Sequence, residues 1–367
     1  MIKLNKFLII LGIFILISLF WARFHHSKNR LIIYLNKTYE SLDVAEDVCR
    51  IDNEIYVVGW KYDINNQRSS ALILKLNKNG DIIWNSTYTD INGAYGRGVS
   101  CNLNEVYFYG EASNMNTSYG FIIKFNKNGE IIWTKTFSDG FIKDLSNINT
   151  EIYFLFSSYK ENENYLIKLN NDGKQLFKRN LGFTANSLVI KYDKIYIAGE
   201  KEYLGRILSF LTIYDLAGNK IWNKTINLKI NNMAIDLCVG SKEIYILGSG
   251  TKGYSDFVFI SKIDLNRNII WNKVWKKDLY GNLRSISIYD DYLYLCGDIE
   301  DNVLITKLDE KGNRIWDFTY GKADREDFAT RIFVDKGEIY VIGSTESFTI
   351  WPRRVSFLLC IKEKQRS

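Results

Sequence analysis

Histidine is almost missing from this sequence. His25 and His26 are the only two, and both precede the repeated part of the chain. A histidine-based triad or a histidine-rich metal site inside that part is therefore excluded. Cysteine is scarce and irregular. Cys49, Cys101, Cys238, Cys296 and Cys360 are an odd number at unrelated spacings, which gives no disulfide framework. Most fall on expected strands, where they read as small buried hydrophobes. An excess of one charge is also lacking. Against 48 basic residues stand 42 acidic ones, a net of +6 spread along the chain. That is no footprint for nucleic acid. No amphipathic helical period appears after residue 30, which argues against a helical solenoid.

What is present is a repeat. "NGDIIW" at Asn79–Trp84 returns as "NGEIIW" at Asn128–Trp133. The closing aromatic recurs as Trp84, Trp133, Phe177, Trp222, Trp271 and Trp316. A second motif, "IYVVG" in its first copy, recurs seven times around Tyr56, Tyr107, Tyr153, Tyr196, Tyr245, Tyr294 and Tyr340. Each unit reads as four short strands, rich in β-branched and aromatic residues, with Gly and Asn at the turns. The strands "IYVVG" and "ALILKL" scarcely alternate, so both faces of each sheet are covered. Four-stranded units packed between copies of themselves, at this period, are propeller blades.

Seven "IY" strands are followed by only six strands that end in the aromatic motif. "LIIYLNKTY" at Leu31–Tyr39 resembles "KIWNKTI" at Lys220–Ile226 and supplies the missing outer strand. The expected fold is an all-β, seven-bladed β-propeller of four-stranded blades. Its ring is closed by the N-terminal strand, which removes a free sheet edge. One N-terminal transmembrane or signal helix precedes it.

The run Val303–Ser347 resembles the seven-bladed β-propeller repeat of bacterial and archaeal extracytoplasmic proteins. Its "G-x-x-x-W" element also resembles the outer-strand motif of quinoprotein-like propellers. It departs from that motif in "DEKG" at Asp309–Gly312, in the unit that lacks the Gly before Trp271, and at Phe177. The resemblance covers residues 31–367 and implies architecture far more than activity. It also implies an extracytoplasmic propeller.

The first residues differ in kind. Lys3 and Lys6 precede 16 uncharged residues, Phe7–Ala22, in the pattern of an export signal. Phe20 stands where a cleavage site wants a small residue, so an uncleaved anchor is favoured over a cleaved signal peptide. The expected organisation is a basic flank (1–6), a signal anchor or transmembrane helix (7–24), a linker (25–30) and the propeller (31–367). That places the protein in the cell membrane with one pass, or secreted if the signal is cut.

Candidate chemistry is thin. "DIED" at Asp298–Asp301 and "DRED" at Asp324–Asp327 lack EF-hand spacing and read as loop charge. The repeated tryptophans read as packing between blades. Trp60 and Trp351 break the repeat and read as loop aromatics open to a ligand. The turns between strands one and two, and three and four, are short. The segments between strands two and three, and between blades, are varied. One face is thus uniform and the other diversified. The candidate binding residues on the diversified face are Trp60, Arg68, Tyr95, Arg97, Tyr119, Tyr203, Arg206, Tyr254, Trp351 and Arg353, types enriched at interface hot spots. No catalytic set, metal site or cofactor is implied. The reading is a membrane-tethered, non-catalytic module that binds a protein or surface polymer. The alternatives are a quinoprotein-like or carboxylate-based glycan-active enzyme, and a subunit of an envelope assembly complex.

Overall fold

The computed structural model describes residues 31–102, 104–322, 325–349 and 354–364. The expected anchor and linker, and with them His25 and His26, lie outside the described residues. So do Asp324, Trp351 and Arg353. Among the described residues 28 strands form seven antiparallel sheets of four. Strand β1 (Leu31–Tyr39) is followed by the first blade, β2 (Val44–Ile51), β3 (Glu54–Asp63), β4 (Arg68–Leu76) and β5 (Ile82–Tyr88). Five blades of the same order follow. The seventh sheet has the order β1-β28-β27-β26, from β26 (Asp327–Asp335), β27 (Glu338–Thr345) and β28 (Val355–Glu363).

Strand β1 pairs antiparallel with β28, Leu31 opposite Glu363 and Tyr39 opposite Ser356. Its register steps between Ile33 and Leu35, so Tyr34 is bulged. In β5 the register likewise steps over Ile83, the residue before Trp84. Leu35 therefore takes the position that Trp84 holds in the first blade, and it is buried.

The aromatic motif has a packing cause. Gly129 adopts φ +88°, and a Cβ there would come 2.9 Å from the ring of Trp84 in the preceding blade. The indole Nε1 of Trp133 donates to Asn171 O in the following blade, at 2.9 Å. Gly129, Gly173, Gly218 and Gly312 thus each leave room for the preceding blade's aromatic, while Gly80 meets Leu35 and Tyr39. Where glycine is missing, Arg267 adopts the left-handed conformation, at φ 78°.

A second clamp repeats beneath it. Lys124 is 2% exposed. Its ammonium lies 2.7 Å from Glu105 and 5.6 Å from the Tyr107 ring centroid. It also donates to Asn171 O of the following blade, at 3.2 Å. Lys75–Glu54, Lys168–Glu151 and Lys262–Glu243 repeat the ion pair. A buried ammonium is tolerated only with such partners. This is why a lysine sits inside the otherwise apolar third strand.

Two expectations are corrected. Cys49 on β2 and Cys101 on β6 (Ala94–Cys101) form a disulfide, with Cα atoms 6.2 Å apart. Neighbouring inner strands lie side by side, so residues far apart in sequence and unlike in repeat position meet. Cys238, Cys296 and Cys360 are buried and free. The varied segments, read as loops, are mostly strand. β3 and β4 leave only residues 64–67 between them, and β15 (Lys194–Tyr203) and β16 (Arg206–Asp215) leave only Leu204 and Gly205. Pairing along these polar stretches satisfies the backbone without burying a face. The diversified face is therefore a set of protruding hairpins.

Candidate binding face and central channel

All seven inner strands carry a β-bulge at the same place. In β2 the register steps between Ala45 and Asp47, and in β6 between Gly96 and Gly98. The same step recurs in β10 (Gly140–Ile148), β14 (Thr184–Lys191), β18 (Asn231–Val239), β22 (Asn282–Tyr289) and β26. A regular strand turns every second side chain one way. A bulge sets two residues against one and re-aims a side chain. The seven bulged residues, with Asp47, Asp144, Ser187, Asp236 and Arg331 from the positions after them, thus line one cavity of about 110 Å³ between the inner strands.

The bulged residues are Glu46, Arg97, Lys143, Asn186, Ile235, Arg284 and Thr330, and all seven line the cavity. The next residues, blade by blade, are Asp47, Gly98, Asp144, Ser187, Asp236, Ser285 and Arg331. Aspartate alternates with a small residue. Seven is odd, so the alternation fails at the last blade, where Arg331 stands.

Each aspartate staples its blade to the next. Asp47 accepts N–H bonds from Val48 (2.9 Å) and from Val99 of the second blade (3.0 Å). Asp144 accepts from Leu145 (2.8 Å) and from Leu188 of the fourth blade (2.7 Å). Asp236 accepts from Leu237 (2.9 Å), and in the sixth blade from the N–H of Ile286 (3.0 Å) and the Ser285 hydroxyl (2.9 Å). A small residue at each intervening position makes room for the incoming carboxylate. Arg331 lies 3.2 Å from Asp47 and 3.3 Å from Asp236.

Burial pushes the Asp144 carboxyl up to about 7, with Asp47 and Asp236 adding to the effect and Arg331 opposing it. Burial also raises Asp47. The Tyr109 hydroxyl, 3.3 Å from Asp144, is raised by burial and then by Asp144. Asp236, followed by Asp47, holds the Arg331 guanidinium above its ordinary value. Burial lowers Lys143, whose ammonium donates to Asn186 Oδ1 at 3.0 Å.

The structure brings three candidate residues together and separates the rest. Trp60 lies within β3, not in a loop. It donates to Glu46 Oε1 at 3.2 Å and meets Tyr95 edge-on, with centroids 5.4 Å apart. Arg97 stands over the Tyr95 ring and pairs with Glu46 (3.2 Å) and Glu111 (2.5 Å). Of this group Arg97 and Glu46 line the central cavity, and Trp60 lines an open cleft at the first hairpin. Tyr119 is a correction. It is 8% exposed and sits in the core between the first two blades, its hydroxyl bonded to Asp90 and Tyr88. Strand alternation turns it inward. Arg68 opens β4 opposite Asp63. Tyr203 faces Arg206 across the β15–β16 hairpin, and both are exposed. None of these last three lines the cavity.

Of the acidic clusters, Asp298 pairs with Arg284 at 2.9 Å, and Asp327 caps the N–H groups of Glu346 and Ser347. These two side chains, Asp298 and Asp327, thereby hold neighbouring groups in place.

The hairpin tips carry residues that sequence reasoning passed over. Ile64 (80% exposed), Met115 (79%), Tyr159, Leu204 (86%) and Phe348 stand at tips of the first, second, third, fourth and seventh blades. Tyr254, already a candidate, is fully exposed at the tip of the fifth. Six of seven tips thus present a large apolar side chain, and the sixth has Glu300 and Asp301. Scattered exposed apolar residues are ordinary. These tip side chains, one to a blade on six blades, are an apolar crown on one face. The signal that could have found them is the apolar residue inside each polar hairpin stretch.

No family model and no curated sequence matches this chain. Solved structures share its fold. BamB from Moraxella catarrhalis superimposes with a TM-score of 0.55 at 11% identity, over 92% of this chain and 99% of that one. The β-propeller domain of the Trilobed protease from Pyrococcus furiosus gives 0.55 at 12% identity, over 91% and 96%. The extracellular domains 1–2 of Drosophila Semaphorin 1b give 0.55 at 8% identity, over 89% and 86%. At these identities the likeness is one of fold.

Proposed function

We propose that this propeller is a binding module that engages a protein partner through its hairpin-tip face. The observation that carries the reading is the crown of exposed apolar side chains on six of seven tips. A rigid scaffold with varied, protruding hairpins is a usual way to build a recognition surface. The small polar channel supports the same reading. Its volume of about 110 Å³ is well below the roughly 300–1,000 Å³ of ordinary small-ligand sites, and the larger clefts, of about 550 and 970 Å³, lie open among the hairpins on the face assigned to the partner.

In this reading the module is held at an extracytoplasmic membrane surface by residues 7–24. The Cys49–Cys101 disulfide supports an oxidising compartment. Strand β1 starts, at Leu31, on the face of the short turns, opposite Glu363. An anchor that precedes it would hold that face to the bilayer and leave the crown free. We also take β1 to close the ring. The contacts of the last blade with the first support this: Thr330 donates to Ala45 O at 2.7 Å, and Ser344 donates to Asp43 O at 3.0 Å.

The test is to recover the full chain after mild crosslinking, as wild type and as Met115→Glu/Leu204→Glu/Tyr254→Glu. All three positions are exposed, so the melting temperature should hold. The expected result is loss of the copurified partner from the variant. Equal recovery from both would refute the assigned face.

A further inference from the structure

The channel mouth lies on the crown side of the ring. Its bulged residues are the third to fifth of their strands, counted from the end that meets the hairpin-tip face. Its charges do not balance. Four carboxylates and four cations line the cavity. Behind them Glu111 is bound to Arg97, Asp298 to Arg284, and Glu200 to Asn186. Seven carboxylates therefore surround four cations.

The shortfall is local to Asp144. Arg97 is committed to Glu46 and Glu111, and Arg331 to Asp47 and Asp236. Among the described residues no cation lies within ion-pair distance of Asp144. Its oxygens are met only by two N–H groups and the Tyr109 hydroxyl. The one cation beside it in the third blade, Lys143, donates to an amide oxygen and leans over the Phe141 ring at 5.5 Å. A cavity of about 110 Å³ holds an ammonium or guanidinium head and little more.

We infer that the protein partner inserts a lysine or arginine side chain into this mouth, with its cationic head against Asp144 and its flanks on the apolar crown. This rests on the crown being the binding face, and adds what the partner must present. Complementary charge would set the register of docking, while the apolar tips supply contact area. An acidic finger is disfavoured, because it would meet the same uncompensated carboxylates.

The probes are acetyl-triarginine amide and acetyl-triglutamate amide, titrated calorimetrically into the full chain at low ionic strength and about pH 8, above the value of about 7 at which the Asp144 carboxyl ionises. The chain carries a net charge of +6, so unspecific attraction favours the acidic peptide and works against the expected outcome. The arginine peptide should bind one per chain and the glutamate peptide should not. Asp144→Asn should weaken the arginine peptide about tenfold. Lys143→Gln removes a competing cation without touching a staple, and should tighten it several-fold. Preference for the glutamate peptide would overturn the inference. So would arginine-peptide affinity that neither substitution moves, or no binding at all. These outcomes are separate from the crown itself. A tip variant that loses its partner while the arginine peptide fails to bind wild type would keep the face and discard the cationic finger.

Discussion

Arg331 in the last blade lies 3.2 Å from Asp47 in the first. The same guanidinium reaches Asp236 at 3.3 Å, so one side chain bridges three blades at the channel wall. Arg331→Ala would leave two enclosed carboxylates without their cation. Breaking a fully buried pair costs about 3–5 kcal/mol. The Arg331 side chain is 36% exposed, so about 2 kcal/mol is the expectation after solvent screening. Urea melts check it, and a loss below about 0.5 kcal/mol would show that the fold does not depend on this bridge.

Much of the fold was legible because two motifs repeat in every blade. The channel was not, because its residues do not. Asp47, Asp144 and Asp236 recur in alternate blades only, so no single-blade period reveals them. The bulges shift the alternation by one residue, which hides that Glu46 and Asp47 face the same space. Cys49 and Cys101 occupy unlike positions in their repeats and looked unrelated. Tyr119 shows the reverse failure. Its residue type suits an interface, but its place in the strand turns it into the core.

Asp144 should give stability a pH slope. Its carboxyl stands at about 7 in the fold, raised from 3.8. The folded chain thus holds a proton that the unfolded chain gives up. The stability tied to that proton is fully present below about pH 4 and is lost as pH rises through about 7. Glu338 acts in the opposite sense. Burial would raise it, but the Lys362 and Tyr340 contacts outweigh that and hold it at about 2, below 4.5. Its contribution is present above about pH 4.5 and is lost as pH falls toward 2. Asp144→Asn removes the first slope only. It forfeits one staple, so it should melt earlier than wild type at pH 5. The gap between the two urea midpoints should narrow at pH 8. A constant gap would show that Asp144 does not titrate in that window.

The buried lysines should be worth more than any exposed pair. Lys124→Ala deletes an ammonium that is 2% exposed and leaves Glu105 without its cation, held by the Tyr107 hydroxyl. A loss of about 3 kcal/mol is expected. Lys178→Ala breaks a pair that is 35% and 47% exposed and should cost far less. Paired urea melts decide, and equal losses would contradict the clamp.

Two glycines separate strain from packing. Gly129 (φ +88°) would press a Cβ against Trp84, whereas Gly205 (φ +73°) has nothing within 4 Å. Both alanine variants carry the left-handed penalty, on the order of 1 kcal/mol. Only Gly129→Ala must also displace an indole. It should therefore be the more destabilised by thermal melt. Equal shifts would mean that the aromatic motif does not need its glycine for fit.

The identity of the binding face is tested most directly by a photo-crosslinking residue placed singly in the full chain, expressed in its native cells. Met115, Leu204 and Tyr254 mark the crown, and Asn79 and Asn128 mark the short turns. The expected result is one discrete protein adduct from the three crown positions and none from the two turns. The same adduct from Asn79 and Asn128, with none from the crown, would contradict the assignment of the binding face.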